Sequence, residues 1–94
     1  MEQLQLGTVA TTSRIYTDML ESYQFQLEIN AALKAHRNNE FEKTVLCDED
    51  IETNKEALIH GDRILNAFGT SKGKIWIITE WDRSYTTILY PDEY

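Results

Sequence analysis

The sequence predicts an α+β domain, with N-terminal helices packed on a C-terminal three-stranded antiparallel meander and a candidate short strand at the N-terminus. Three observations predict it. Apolar residues recur at three- and four-residue steps from Gln24 to Arg37, which gives a helix one apolar face. A second helical run between Asp48 and His60 closes on Gly61. Beyond Gly61 the period changes to two, and Ile, Thr, Trp and Tyr dominate, the residues that favour strands. A chain of 94 residues reads as a single domain, 1–94, with room for one modest core.

In chain order, residues 4–10 alternate weakly and form the candidate strand. Thr11, Thr12 and Ser13 each offer a helix cap. Residues 13–22 then make a helix with Ile15, Met19 and Leu20 on one side. In the helix 24–37, Phe25, Ile29, Ala32, Leu33 and His36 share a face, and Asn38-Asn39 stop it, since Asn tolerates the left-handed conformation. Residues 40–47 are extended or irregular. Asp48 or Asp50 caps the third helix, and its acids fall where the helix dipole favours them. Three strands follow, 63–69, 74–81 and 85–90, joined by turns at Thr70-Ser71-Lys72-Gly73 and Asp82-Arg83-Ser84. Short connections make the pairing antiparallel. Pro91, with no N–H to donate, ends the last strand.

Charge narrows the partners. Nine basic against sixteen acidic residues leave −7. That balance argues against direct nucleic-acid binding, which draws affinity from clustered Lys and Arg, and against an anionic membrane surface. It suits a basic protein partner. Cys47 is the one cysteine, so no internal disulfide forms and a reducing, cytoplasmic setting is expected. Met1 to Leu6 has neither the basic nor the apolar region of a secretory leader. The apolar run Ile75-Trp76-Ile77-Ile78 is too short to span a bilayer.

Residues 40–62 hold the densest charge: Glu40, Glu42, Asp48, Glu49, Asp50, Glu52, Glu56 and Asp62 against Lys43 and Lys55. Two readings stand. A dense acidic face can imitate nucleic-acid phosphates and occupy a basic groove. A charge run can equally be a solvated, well-capped helix start. A calcium loop counted from Asp48 fails, because its sixth position is Thr53 rather than Gly and its twelfth is Ile59 rather than Glu.

One Cys and two distant His, His36 and His60, do not make a zinc site, and no metal or cofactor is expected. His36 is placed at a core edge. Cys47, with Asp48, Glu49 and Asp50 after it, reads as a buried or half-buried structural thiol. Glu80 and Asp82 could be imagined as an acid–base pair, but Asp82 in a turn accepts more naturally from the backbone near Ser84. The chain reads as a non-enzyme. Trp76 and Trp81, five residues apart in one expected strand, point to opposite faces. With Asp82, Arg83 and Tyr90 they form a second candidate binding surface, against the alternative that these aromatics fill a core and cover sheet edges.

The stretch Gly61-Asp62-Arg63-Ile64-Leu65, Lys74-Ile75-Trp76-Ile77-Ile78-Thr79-Glu80, Asp82-Arg83-Ser84, Thr86-Thr87-Ile88-Leu89 and Pro91-Asp92-Glu93-Tyr94 resembles a family of small phage- and plasmid-encoded proteins. These sometimes carry restriction-subunit labels without a nuclease or methylase motif. The likeness covers the last third well and Asn54-Lys55-Glu56-Ala57-Leu58 more loosely. Trp81 stands where the family has a small residue, and Tyr90 where it has Leu. The resemblance implies a mobile-element setting and carries over no catalytic residue. The function expected is an acidic inhibitor of a host nuclease-based defence, of the anti-CRISPR or antirestriction kind. The alternative is a small adaptor or regulatory domain with no defence role. A homodimer remains open.

Overall fold

A computed structural model describes residues 3–94, so Met1 and Glu2, the start of the segment read as lacking a leader, lie outside the described residues. Over the described residues the architecture is α+β: three α-helices and one four-stranded mixed sheet.

The N-terminal strand β1 spans Thr8–Thr11 rather than 4–10. Residues 4–7 before it form no strand, and Leu4 donates its N–H to the Arg37 carbonyl, at the end of a helix, at 2.7 Å. Thr12 caps α1 (Ser13–Glu21) by accepting from Ile15 N–H. Ile15 is buried there, whereas Leu20, expected beside it, is exposed. Ser22 breaks the helix with extended backbone and caps α2 (Tyr23–Arg37) by accepting from Phe25 N–H at 3.1 Å. The expected apolar face of α2 is the buried one. Asn39 takes the left-handed conformation, φ 56°, and ends the run. A 3-10 turn, Phe41–Lys43, follows.

Helix α3 runs Asp48–His60. Its cap position is Cys47, which makes no side-chain capping bond, so neither Asp48 nor Asp50 is the cap. Asp48 falls one residue and Asp50 three residues further in, both within the first turn, where they complement the unpaired N–H groups. Gly61, at φ 74°, closes the helix with its N–H on the Ala57 carbonyl at 2.9 Å.

Strands β2 (Ile64–Thr70), β3 (Gly73–Thr79) and β4 (Tyr85–Leu89) form the expected antiparallel meander. The sheet is nevertheless four-stranded. Strand β1 pairs parallel with β4, Thr8 opposite Tyr85 and Thr11 opposite Ile88, giving the order β1-β4-β3-β2. Strand β3 stops at Thr79, so Trp81 lies in the following turn and the face-alternation argument does not reach it.

Register and the two-residue period put Ile64, Asn66, Phe68, Ile75, Ile77, Thr79, Thr86 and Ile88 on one face. Helices α1 and α2 pack there, and Ile15, Phe25, Ile29, Ala32 and Ala35 join Phe68, Ile75, Ile77, Ile88 and Tyr90 in the main core. Each fully buried Ile or Phe contributes about 1.5–3 kcal/mol. A satellite cluster of Leu4, Ala57 and Ile64, with Leu6 and Leu58 against it, fastens α3 and the N-terminal segment. At the other end a 3-10 turn, Pro91–Glu93, latches onto α1: Thr12 donates to Glu93 at 3.0 Å and Arg14 pairs with Asp92 at 2.9 Å. On the second sheet face, Trp76 meets Tyr94 edge-on at 5.6 Å, and Arg63 donates to the Tyr94 hydroxyl.

Candidate protein-binding site

Helical geometry sorts the seven expected acidic residues. Asn54 and Ala57 point α3 inward. Glu49, Glu52 and Glu56, at spacings of three and four, therefore line its outer side, and all three are exposed. Asp48 is exposed near the same row. Asp50 turns the other way, into a groove with Leu46, Thr53, Leu65 and Trp76. Glu40 and Glu42 belong to the separate 3-10 turn. Glu40 is half-buried and pairs with Lys43 at 2.9 Å, which holds its carboxyl below the usual range. Glu52 reaches Lys55 at 3.3 Å, an exposed pair of little energetic weight. Glu49 and Glu56 make no ion pair among the described residues, so their charge is available to a partner.

The aromatic and turn group does not stay together. Tyr90 is core, 5% exposed, stacked on Phe25, covered by the Arg14 guanidinium at 4.4 Å and bonded to Asp18. It is withdrawn from any docking surface, because its ring fills the space between α1, α2 and β4. Trp76 is half-buried against Tyr94. Trp81 is 67% exposed and is the one large aromatic of this group open to a partner. Asp82 accepts from the Ser84 N–H at 3.1 Å and hydroxyl at 2.6 Å, as the turn requires. These bonds hold its carboxyl below the usual range. Arg83 sits at φ 60°, and its Nη1 donates to the carbonyls of Asp62 (2.8 Å) and Glu80 (3.1 Å) rather than to a carboxylate.

Two further expectations need correction. Cys47 is exposed, because the chain entering α3 carries it on the outside. His36 is at the centre of the core, with no exposure at all. Burial lowers its pKa to about 4, with Arg83 adding to the effect. A hydrogen-bonded chain makes that burial tolerable, and its direction can be fixed from both ends. Leu65 N–H and C=O orient the Asn54 amide. Asn54 donates to Asn66 Oδ1 at 2.9 Å, and Asn66 Nδ2 donates to His36 Nδ1 at 2.8 Å. The ring proton is therefore on Nε2, which donates to Thr79 Oγ1 at 2.8 Å. Thr79 donates to Thr86, and Thr86 to the Leu6 carbonyl. This relay ties α3, α2, three strands and the N-terminal segment, and every imidazole nitrogen in it is spoken for.

Sequence reasoning missed a cleft of about 580 Å³ between α3, the N-terminal segment and the β3–β4 turn, lined in part by Leu4, Lys55, Leu58, Ile59 and Arg83. Its residues are scattered along the chain, and the only local signal is Ile59, an isoleucine at the end of α3 that is 79% exposed. Among the described residues no three His, Cys, Asp or Glu side chains gather in a metal-holding group, and no helix is long and apolar enough to cross a membrane. Comparison of the chain with protein-family models, curated proteins and solved structures finds no match.

Proposed function

We propose that the chain is a non-catalytic binding protein of a phage or plasmid, acting in the host cytoplasm to inhibit a nuclease-based defence of the anti-CRISPR or antirestriction kind. It works by presenting an acidic helix face to a basic, nucleic-acid-binding surface of a protein partner. One observation carries the reading: Glu49, Glu52 and Glu56 form an exposed row along the outer side of α3. With a rise of 1.5 Å per residue, their charges recur about every 5 Å along the axis. A nucleic-acid strand spaces its phosphates more closely, about 3.4 Å along the duplex axis, so the row resembles a line of phosphates in sign and order of spacing rather than in repeat length. A groove built for phosphates thus finds a rigid substitute, and the charges steer the encounter. The likeness of residues 61–94 to small mobile-element proteins supports the setting, and exposed Trp81 offers an apolar contact beside Asp82.

The test is capture from host lysate on immobilised protein, followed by a cleavage assay of what is retained. A basic nuclease complex whose DNA cleavage falls as the protein is added supports inhibition. A retained transcription or replication protein, with cleavage untouched, selects the adaptor reading instead. Retention of acidic or neutral proteins alone, none of them a transcription or replication protein, contradicts both.

A further inference from the structure

The cleft beside α3 differs in character from the rest of the molecule. Leu4, Leu58 and Ile59 give it apolar walls, and its charged lining residues are Lys55 and Arg83. Among the described residues no acid lines it, in a chain with sixteen acids against nine bases. Its volume of about 580 Å³ falls within the usual range for small-molecule sites, roughly 300–1,000 Å³. Both side-chain hydrogen bonds of Arg83 among the described residues leave from Nη1, which anchors the guanidinium and leaves Nε and Nη2 for an outside acceptor. Among the described residues Lys55 pairs with Glu52 alone, in an exposed contact that it can exchange for a ligand.

From this charge complementarity we infer that the cleft is a binding site for a small organic carboxylate with an apolar body. The single planar charge accepts from the Arg83 fork and from Lys55, and the apolar part lies on Leu4, Leu58 and Ile59. A phosphate dianion suits it less well, since the field of a chain at −7 opposes added negative charge. The site touches the acidic row on the outer side of α3 only through the Lys55–Glu52 pair, so its failure leaves that reading untouched.

Sodium decanoate is the probe, titrated below micelle formation and followed by amide chemical shifts, with decanol as the uncharged control. Saturable shifts centred on Leu4, Leu58 and Ile59 are expected, with decanoate bound about tenfold tighter than decanol. Arg83→Gln and Lys55→Gln each weaken decanoate and leave decanol unchanged. Lys55→Gln alters an exposed side chain and keeps the test decisive if Arg83→Gln does not fold. Equal affinity for decanoate and decanol, shifts scattered over the surface, or undiminished binding by folded Lys55→Gln overturns the proposal.

Discussion

Gly7 is where the backbone leaves a single choice of residue. It sits at φ 63°, and a Cβ there would stand 2.2 Å from the Ser84 carbonyl oxygen. Both objections are to backbone, so no rotamer change relieves them. Gly7→Ala is expected to cost on the order of 3 kcal/mol in denaturant unfolding, with loss of the β1–β4 pairing. Gly61→Ala is the contrast. Its Cβ meets nothing within 4 Å, so only the left-handed backbone penalty of about 1 kcal/mol remains. His36 supplies the residue-scale pH prediction. Its pKa is near 4 folded against 6.5 unfolded, so the unfolded chain binds more protons between those values. The stability contributed by neutral His36 is complete above pH 6.5 and is lost as pH falls toward 4, at up to about 1.4 kcal/mol per unit. Imidazole shifts that titrate near 6.5 in the folded protein would refute the relay as drawn. Nothing local in the sequence announces either role. Gly7 is constrained by a turn seventy-odd positions away (Ser84), and His36 has the spacing of any inward-facing helical residue.

At the scale of elements, α3 is docked by one polar side chain, Asn54, beside its apolar cluster. Asn54 binds both backbone groups of Leu65 and the Asn66 amide, so it docks the helix on β2 and orients the relay. Asn54→Leu is expected to lower stability by about 1–3 kcal/mol, because it leaves Asn66 Oδ1 without this partner in a buried setting and the Leu65 amide without it in a half-buried one. A change within about half a kcal/mol, read from chemical denaturation, would show the contact to be incidental. The helices and the meander were legible within a residue or two, since their hydrophobic periods are local properties. The parallel pairing of β1 with β4 was not, because a register between segments 77 residues apart leaves no periodic trace in either. Trp81 and Tyr90 were misplaced for a related reason. Strand composition does not say where pairing stops, and β3 ends two residues before Trp81. Tyr90 lies just beyond β4 and turns into the core, fixed by Phe25, Arg14 and Asp18 from two helices. Of the candidate site, the acidic row on α3 was legible because helix spacing alone puts Glu49, Glu52 and Glu56 together. The division of Asp50 from that row needed the inward direction of the helix, which Asn54 reveals only in three dimensions.

For the whole molecule, the net charge of −7 is gathered rather than spread, and the outer side of α3 is its most regular part. Association driven by that face weakens with salt, since exposed charges are screened within about 10 Å at 0.1 M. The choice of variant matters. Glu49 lies in the first turn of α3, where reversal opposes the helix dipole, and Glu52 already holds Lys55. Glu56 lies mid-helix, is exposed and makes no ion pair among the described residues. Its reversal therefore reports on binding with little effect on folding. Lys72→Glu in the β2–β3 turn serves as the charge control. The most direct measurement is the low-salt dissociation constant of Glu56→Lys for the captured partner, on protein whose melting curve matches the parent. Binding about tenfold weaker, with the difference shrinking as salt is raised and Lys72→Glu unaffected, is the expected result. Affinity equal to the parent's would contradict the account and mark the outer side of α3 as ordinary solvated surface.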